Sequence, residues 1–152
     1  MTDIVDRTTR SRMMAGIRGK DTRPELVIRK GLHKAGFRYR LHDKSLPGRP
    51  DLVLPRYKAL IFINGCFWHG HKCAIFKWPS TRTAFWRDKI RGNAERDSRN
   101  RRLCTSAGWR VLTIWECSLK GPGRLGPASA VIATSTWLRS RRPIGEILGR
   151  NK

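Results

Sequence analysis

The run Ala59-Leu60-Ile61-Phe62-Ile63 is apolar at every position. A strand with one wet face alternates polar and apolar residues, so a run that does not alternate predicts a central strand buried on both faces. Covering both faces of a sheet takes helices on each side, which confines the chain to a layered α/β arrangement.

The other elements fit around that strand. Thr22-Arg23-Pro24-Glu25 matches a capping box, with Thr22 as N-cap, Pro24 in the first turn and Glu25 at the third helical position. It predicts a helix over 23–35, ended by Gly36 in a left-handed conformation. Phe37, Tyr39 and Leu41 alternate with Arg38, Arg40 and His42, as in a strand with one wet face. A Pro/Gly-rich turn leads to a strand over 51–54, and Pro55-Arg56-Tyr57 turns the chain into the central strand, 58–64.

A long helix is expected over 83–107, started by Ser80, Thr81 or Thr83 and stopped by Gly108. Helical periodicity places Trp86, Ile90, Asn93, Asp97 and Cys104 on one stripe, away from the arginine-rich face. Asn93 and Asp97 on an inward stripe need polar partners. Alternation resumes over 109–117, with Trp109, Val111, Thr113, Trp115 and Cys117 on one face. Gly121-Pro122-Gly123 marks a loop, a last helix is expected over 128–140, and the tail to Lys152 carries no pattern that predicts an element. The expected fold is a mixed central sheet flanked by helices in a single domain. Within it we distinguish a basic arm (1–20), a core (21–120) and a C-terminal extension (121–152).

Charge indicates the partner. Lys and Arg number 33 against 11 acidic residues, a net charge of +22 on 152 residues, which points to a polyanion. A hydrophobic fraction of 39% with six Trp suits a folded domain rather than a disordered basic tail. The arm holds Arg7, Arg10, Arg12, Arg18 and Lys20 and reads either as a solvated tail or as a short amphipathic helix. With no long apolar run and no apolar signal region in residues 1–20, the expected location is the cytoplasm, without membrane insertion or secretion. In a reducing compartment the four Cys are expected as metal ligands or core residues rather than disulfides.

The densest chemistry lies in Gly65-Cys66-Phe67-Trp68-His69-Gly70-His71-Lys72-Cys73. Closely spaced thiols and imidazoles fit a tetrahedral zinc ion, and the spacing does not choose between His69 and His71. Phe67 and Trp68 do not fit that role, and a metal-pinned loop would hold them out as a rigid wedge. Asp51 begins a strand after a Pro/Gly turn, where its carboxylate either makes an Asx turn or projects into a cleft to hold a hard cation such as Mg2+.

Several segments together give a specific resemblance: Thr9-Arg10-Ser11 with Met14, Ser45-Leu46-Pro47-Gly48-Arg49-Pro50-Asp51, Gly65-Cys66-Phe67-Trp68-His69, and His71 with Cys73. Further along stand Thr81-Arg82-Thr83, Glu95-Arg96-Asp97, Gly108-Trp109-Arg110-Val111-Leu112 and Trp115-Glu116-Cys117. From about Thr8 to Leu119 the chain resembles the very-short-patch-repair (Vsr) DNA mismatch endonucleases. The resemblance implies a variant of the restriction-endonuclease core. It also implies a Mg2+-dependent enzyme that nicks one strand of duplex DNA beside a T:G mismatch arising from deamination of 5-methylcytosine. Expected partners are mismatched double-stranded DNA and, functionally, a cytosine-5 methyltransferase and mismatch-repair proteins. The protein is expected to act as a monomer associated with the bacterial nucleoid.

Site roles follow from the same resemblance. It implies a structural zinc on Cys66, His71, Cys73 and Cys117, with Cys104 left as a core thiol. His69 is then the general base, a role suited to imidazole near neutral pH. Asp51 would bind Mg2+ with the backbone carbonyl of Ile63, while Glu25 and Asp97 would support the site; Glu25 also serves the capping box. Phe67, Trp68 and Trp86 resemble an aromatic wedge, with Met14 approaching from the minor-groove side, although the stripe position of Trp86 also fits a core residue. The chain departs from the family pattern at Asn64, where many relatives carry a histidine. Asn cannot take a proton at neutral pH, so reduced activity is expected there. Two rivals are a catalytically weakened zinc-stabilised DNA-binding module and a restriction-type endonuclease on the same fold.

Overall fold

A computed structural model describes residues 22–150. The apolar run forms β3 (Ala59–Asn64), in the middle of a five-stranded sheet ordered β1 (Arg40–Leu41), β2 (Leu52–Leu54), β3, β4 (Arg110–Trp115), β5 (Ile144–Ile147). The first two pairings are antiparallel and the last two parallel, so the sheet is mixed. Each parallel step needs a crossover: α2 (Thr83–Ser106) connects β3 to β4, and α3 (Pro127–Arg139) connects β4 to β5. The helix α1 (Arg23–Lys34) precedes the sheet.

The two faces carry separate cores. Ala59, Ile61 and Ile63 of β3 pack with Ile28 and Leu32 of α1 and with Ala130, Trp137 and Leu138 of α3. Leu60 and Phe62 point the other way, to Val53, Val111 and Cys104 of α2. Burying each such large aliphatic side chain contributes roughly 1.5–3 kcal/mol, which is why the unbroken apolar run fits only the middle of the sheet.

Several boundaries differ from expectation. The Phe37–His42 alternation yields only the two-residue β1, because Leu41 is exposed and His42 leaves the strand with φ 48°. Among the candidates Ser80, Thr81 and Thr83, none caps α2; Arg82 does so in a left-handed conformation, without a side-chain cap. Cys117 lies on a 3-10 turn, Glu116–Ser118, just past β4 rather than at the end of a strand. The tail without a readable pattern contains β5, of which only Ile147 is buried; the strand is placed by its pairing with β4, a tertiary contact that local periodicity does not encode. Arg110 secures that end of the sheet, donating to the carbonyls of Tyr57, Leu138 and Arg142. The arm over 1–20, with Met14, lies outside the described residues. Among the described residues no helix is long and apolar enough to cross a membrane.

Candidate active site

The loop after β3 folds back on itself. His69 N–H donates to the Gly65 carbonyl and His71 N–H to the Cys66 carbonyl, and Gly70, at φ 65°, turns the chain between the two histidines. The turn sends the imidazoles to different partners. His71 joins Cys66, Cys73 and Cys117, one ligand atom from each lying within 4.8 Å of the others. His71 Nδ1 is 3.6 Å from Cys117 Sγ. A tetrahedral zinc has a sulfur-to-nitrogen edge of about 3.5 Å, so the donor set fits the ion.

The surroundings favour ligation. Backbone N–H groups of Cys117 and Gly149 donate to Cys66 Sγ (3.3 Å) and Cys117 Sγ (3.2 Å), which stabilises thiolate charge. Burial pushes the Cys66 and Cys117 thiols up and the His71 imidazole down, so without a cation these three groups favour their neutral forms. The neutral imidazole is the ligand form, and a divalent ion would displace the thiol protons. His71 stacks on Trp115 with centroids 4.1 Å apart and planes 8° apart, and Trp115 Nε1–H donates to Glu146 Oε2 of β5 at 2.7 Å. Cys104 stands apart, buried, with its Sγ directed at the Pro47 carbonyl.

His69 faces α2, where its Nδ1 pairs with Asp97 Oδ2. One turn earlier, Asn93 Nδ2 donates to the Trp68 carbonyl at 2.8 Å. The two polar residues of the helix stripe thus both grip the loop. A carboxylate on Nδ1 holds the proton there and leaves Nε2 as the acceptor.

His69 and Asp97 share a cleft of about 720 Å³ with Asp51, Ile63, Asn64, Arg49 and Lys120, beyond the C-terminal ends of β3 and β4. Asp51, only 8% exposed, accepts from Ile63 N–H through Oδ2 at 2.7 Å. Burial and the neighbouring Glu25 push its carboxyl up to about 8 despite that bond. Glu25, 1% exposed, is turned inward, with Oε2 at 2.8 Å from both Arg29 Nη1 and His42 Nε2. The capping bond from Thr22 is present, since its Oγ1 accepts from Glu25 N–H at 3.4 Å. Donor atoms of Glu25, His42 and Asp51 lie within 4.8 Å of one another. Two buried carboxyls side by side, one pushed toward its protonated form, make a donor set suited to a hard divalent cation.

Asn64 is 8% exposed and lines the same cleft. Phe67, Trp68 and Trp86 form one aromatic cluster, with ring centroids 5.2 to 5.8 Å apart, which Phe76, Trp78 and Phe85 extend. Trp86 is half-buried there, and Trp78 and Phe85 are exposed beneath the guanidinium groups of Arg87 and Arg82. Sequence reasoning missed His42, which it placed on a wet strand face. It also missed Glu116, whose Oε1 accepts from Cys66 N–H at 3.3 Å. The usable signal for Glu116 was its position beside Cys117; for His42 it was the end of an alternating run just before the turn that leads to Asp51.

The profile of the family described as DNA mismatch endonuclease Vsr matches residues 2–75. The chain is 44% identical over 138 residues to the DNA mismatch endonuclease Vsr of Escherichia coli K12, covering 91% of this chain and 88% of that protein. It is 44% identical over 125 residues to the type II nicking enzyme V.XorIIP of Xanthomonas oryzae pv. oryzae, covering 82% and 92%. It is also 47% identical over 120 residues to the type II nicking enzyme V.NmeAIP of Neisseria meningitidis serogroup A, covering 79% and 86%. With identity at this level over most of the chain, the protein belongs to the Vsr family of DNA mismatch endonucleases, which are hydrolases.

Proposed function

We propose that this protein nicks one strand of duplex DNA beside a T:G mismatch left by deamination of 5-methylcytosine. The observation that carries the reading is the His69–Asp97 pair facing the same cleft as the buried carboxyl of Asp51. His69 Nε2 takes a proton from the attacking water while Asp97 holds the imidazole by Nδ1. The water oxygen bonds to phosphorus, the bond to the 3′-oxygen breaks, and the departing oxygen takes a proton from solvent, leaving 3′-hydroxyl and 5′-phosphate ends. Asp51 and the Ile63 carbonyl would hold Mg2+, which when bound supplies positive charge against the phosphate. Glu25 supports Asp51, and Arg49 and Lys120 add cations to the wall against which DNA phosphates would lie.

Phe67, Trp68 and Trp86 form the wedge. Opening a base step costs a few kcal/mol and costs least at a mispair, so a rigid wedge favours the T:G site. Cys66, His71, Cys73 and Cys117 would hold a structural zinc, which when bound would pin the wedge loop, and Met14 of the arm would meet the duplex from the minor groove. The sheet with its flanking helices is read as a restriction-endonuclease core in a single domain, acting as a monomer in the bacterial cytoplasm. Its functional partners are a cytosine-5 methyltransferase and mismatch-repair proteins. The test uses labelled T:G and T:A duplexes with and without Mg2+. Nicking of T:G alone, and only with Mg2+, is expected, whereas equal cleavage of both duplexes would remove mismatch specificity from the reading.

A further inference from the structure

We propose that His42 is a third side-chain ligand of the divalent ion framed by Asp51 and Glu25, and that its imidazole makes the site favour ions such as Co2+ over Mg2+. The inference rests on the reading of the cleft as a cation site and goes beyond it by adding a nitrogen donor.

Two independent observations point the same way. His42 Nε2 lies 2.8 Å from Glu25 Oε2, and Glu25, His42 and Asp51 each offer an atom within 4.8 Å of the others. Adjacent ligands around an octahedral ion with bonds of about 2.1 Å lie about 3 Å apart, which is the separation of His42 Nε2 from Glu25 Oε2. The backbone supplies the second observation. His42 stands at φ 48°, in the left-handed region, immediately after β1. A side chain held in that region costs free energy, and here the surrounding contacts fix it: His42 N–H donates to the Asp51 carbonyl at 3.1 Å. That bond pins His42 to the residue whose carboxyl it would join at the ion.

Arg29 Nη1 donates to the Glu25 oxygen that also lies 2.8 Å from His42 Nε2, which fixes the carboxylate. Without an ion that 2.8 Å contact takes a proton on Nε2, since a carboxylate only accepts; a bound ion would take that proton's place and leave the ring proton on Nδ1. Imidazole is a softer donor than carboxylate and favours later first-row ions over Mg2+. The site is then oxygen-rich with one nitrogen, rather than the all-oxygen set typical of hard ions such as Mg2+.

The test uses full-length protein with its cysteine cluster already loaded with zinc. Mn2+ is added, and electron spin-echo modulation reads nitrogen-14 coupled to the bound ion. His42→Asn is the main variant, because Asn tolerates a left-handed backbone and removes the imidazole; His42→Gln is the second, and thermal melting confirms that each folds. Expected is an imidazole nitrogen signal in the native protein, lost in both variants. Co2+ affinity should fall at least about tenfold while Mg2+ affinity moves less than about threefold. Binding of Mn2+ that is abolished by Asp51→Asn but shows no nitrogen coupling, or coupling that survives in both variants, would overturn the role of His42 and leave the cleft's cation site standing. Failure of Mn2+ to bind the cleft at all would overturn the role of His42 and the cation reading together.

Discussion

Asp51 is 8% exposed, and burial beside Glu25 pushes its carboxyl from the ordinary 3.8 up to about 8. A carboxyl raised in this way keeps a proton in the folded state that the unfolded chain gives up at lower pH. Stability is therefore fully present below about pH 4 and drains as pH rises toward 8. Four pH units at about 1.4 kcal/mol each amount to about 6 kcal/mol, growing from about 2 kcal/mol at pH 5.5. The whole stability of an ordinary domain is roughly 5–15 kcal/mol, so the effect is large. Asn has the same shape, can still accept from the Ile63 N–H, and carries no charge to bury.

Asp51→Asn is accordingly expected to stabilise the protein while abolishing its nicking. The assay is urea unfolding of zinc-loaded protein without Mg2+, from pH 5.5 to 8.5, for the native chain and the variant. The gap between them should widen with pH by several kcal/mol, and added Mg2+ at pH 8 should narrow it by stabilising only the native chain. Parallel pH curves, within about 1 kcal/mol throughout, would refute the reasoning that a buried charge is held at Asp51 for the sake of the cation.

Three further outcomes are expected. Asp97→Asn keeps the shape of the contact with His69 but no longer favours a proton on Nδ1; single-turnover nicking should fall about a thousandfold or more, and a loss under tenfold would remove Asp97 from its positioning role. Asn64→His places a titratable ring in the cleft and should raise the nicking rate by about tenfold or more, while equal rates would show that Asn64 carries no penalty. Cys117→Ser should lose stoichiometric zinc and several kcal/mol of stability, and metal analysis finding no stoichiometric zinc in the native protein would overturn the ligand set.

The central strand, the three helices and the alternation of β4 are legible in the sequence because each is a local pattern, and burial follows the periodicity of the element. The same holds for the helix stripe, whose Asn93 and Asp97 demand partners that the sequence does not name. Boundaries were less legible where a local signal was overridden. Hydroxyl residues stand ready to cap α2, yet Arg82 takes the position in a left-handed turn.

By itself, then, the sequence determined a doubly covered mixed sheet, a basic surface suited to DNA and a loop rich in metal donors. Tertiary structure alone decided which imidazole meets which partner. His71 reaches Cys117, more than forty residues away, and His69 reaches Asp97 on a different element. It also turned His42 from an apparent wet face toward two buried carboxyls and gave the patternless tail a strand beside β4. The physical reason is that ligand sets and edge pairings depend on distances between elements far apart in the chain, whereas periodicity reports only which side of one element is dry.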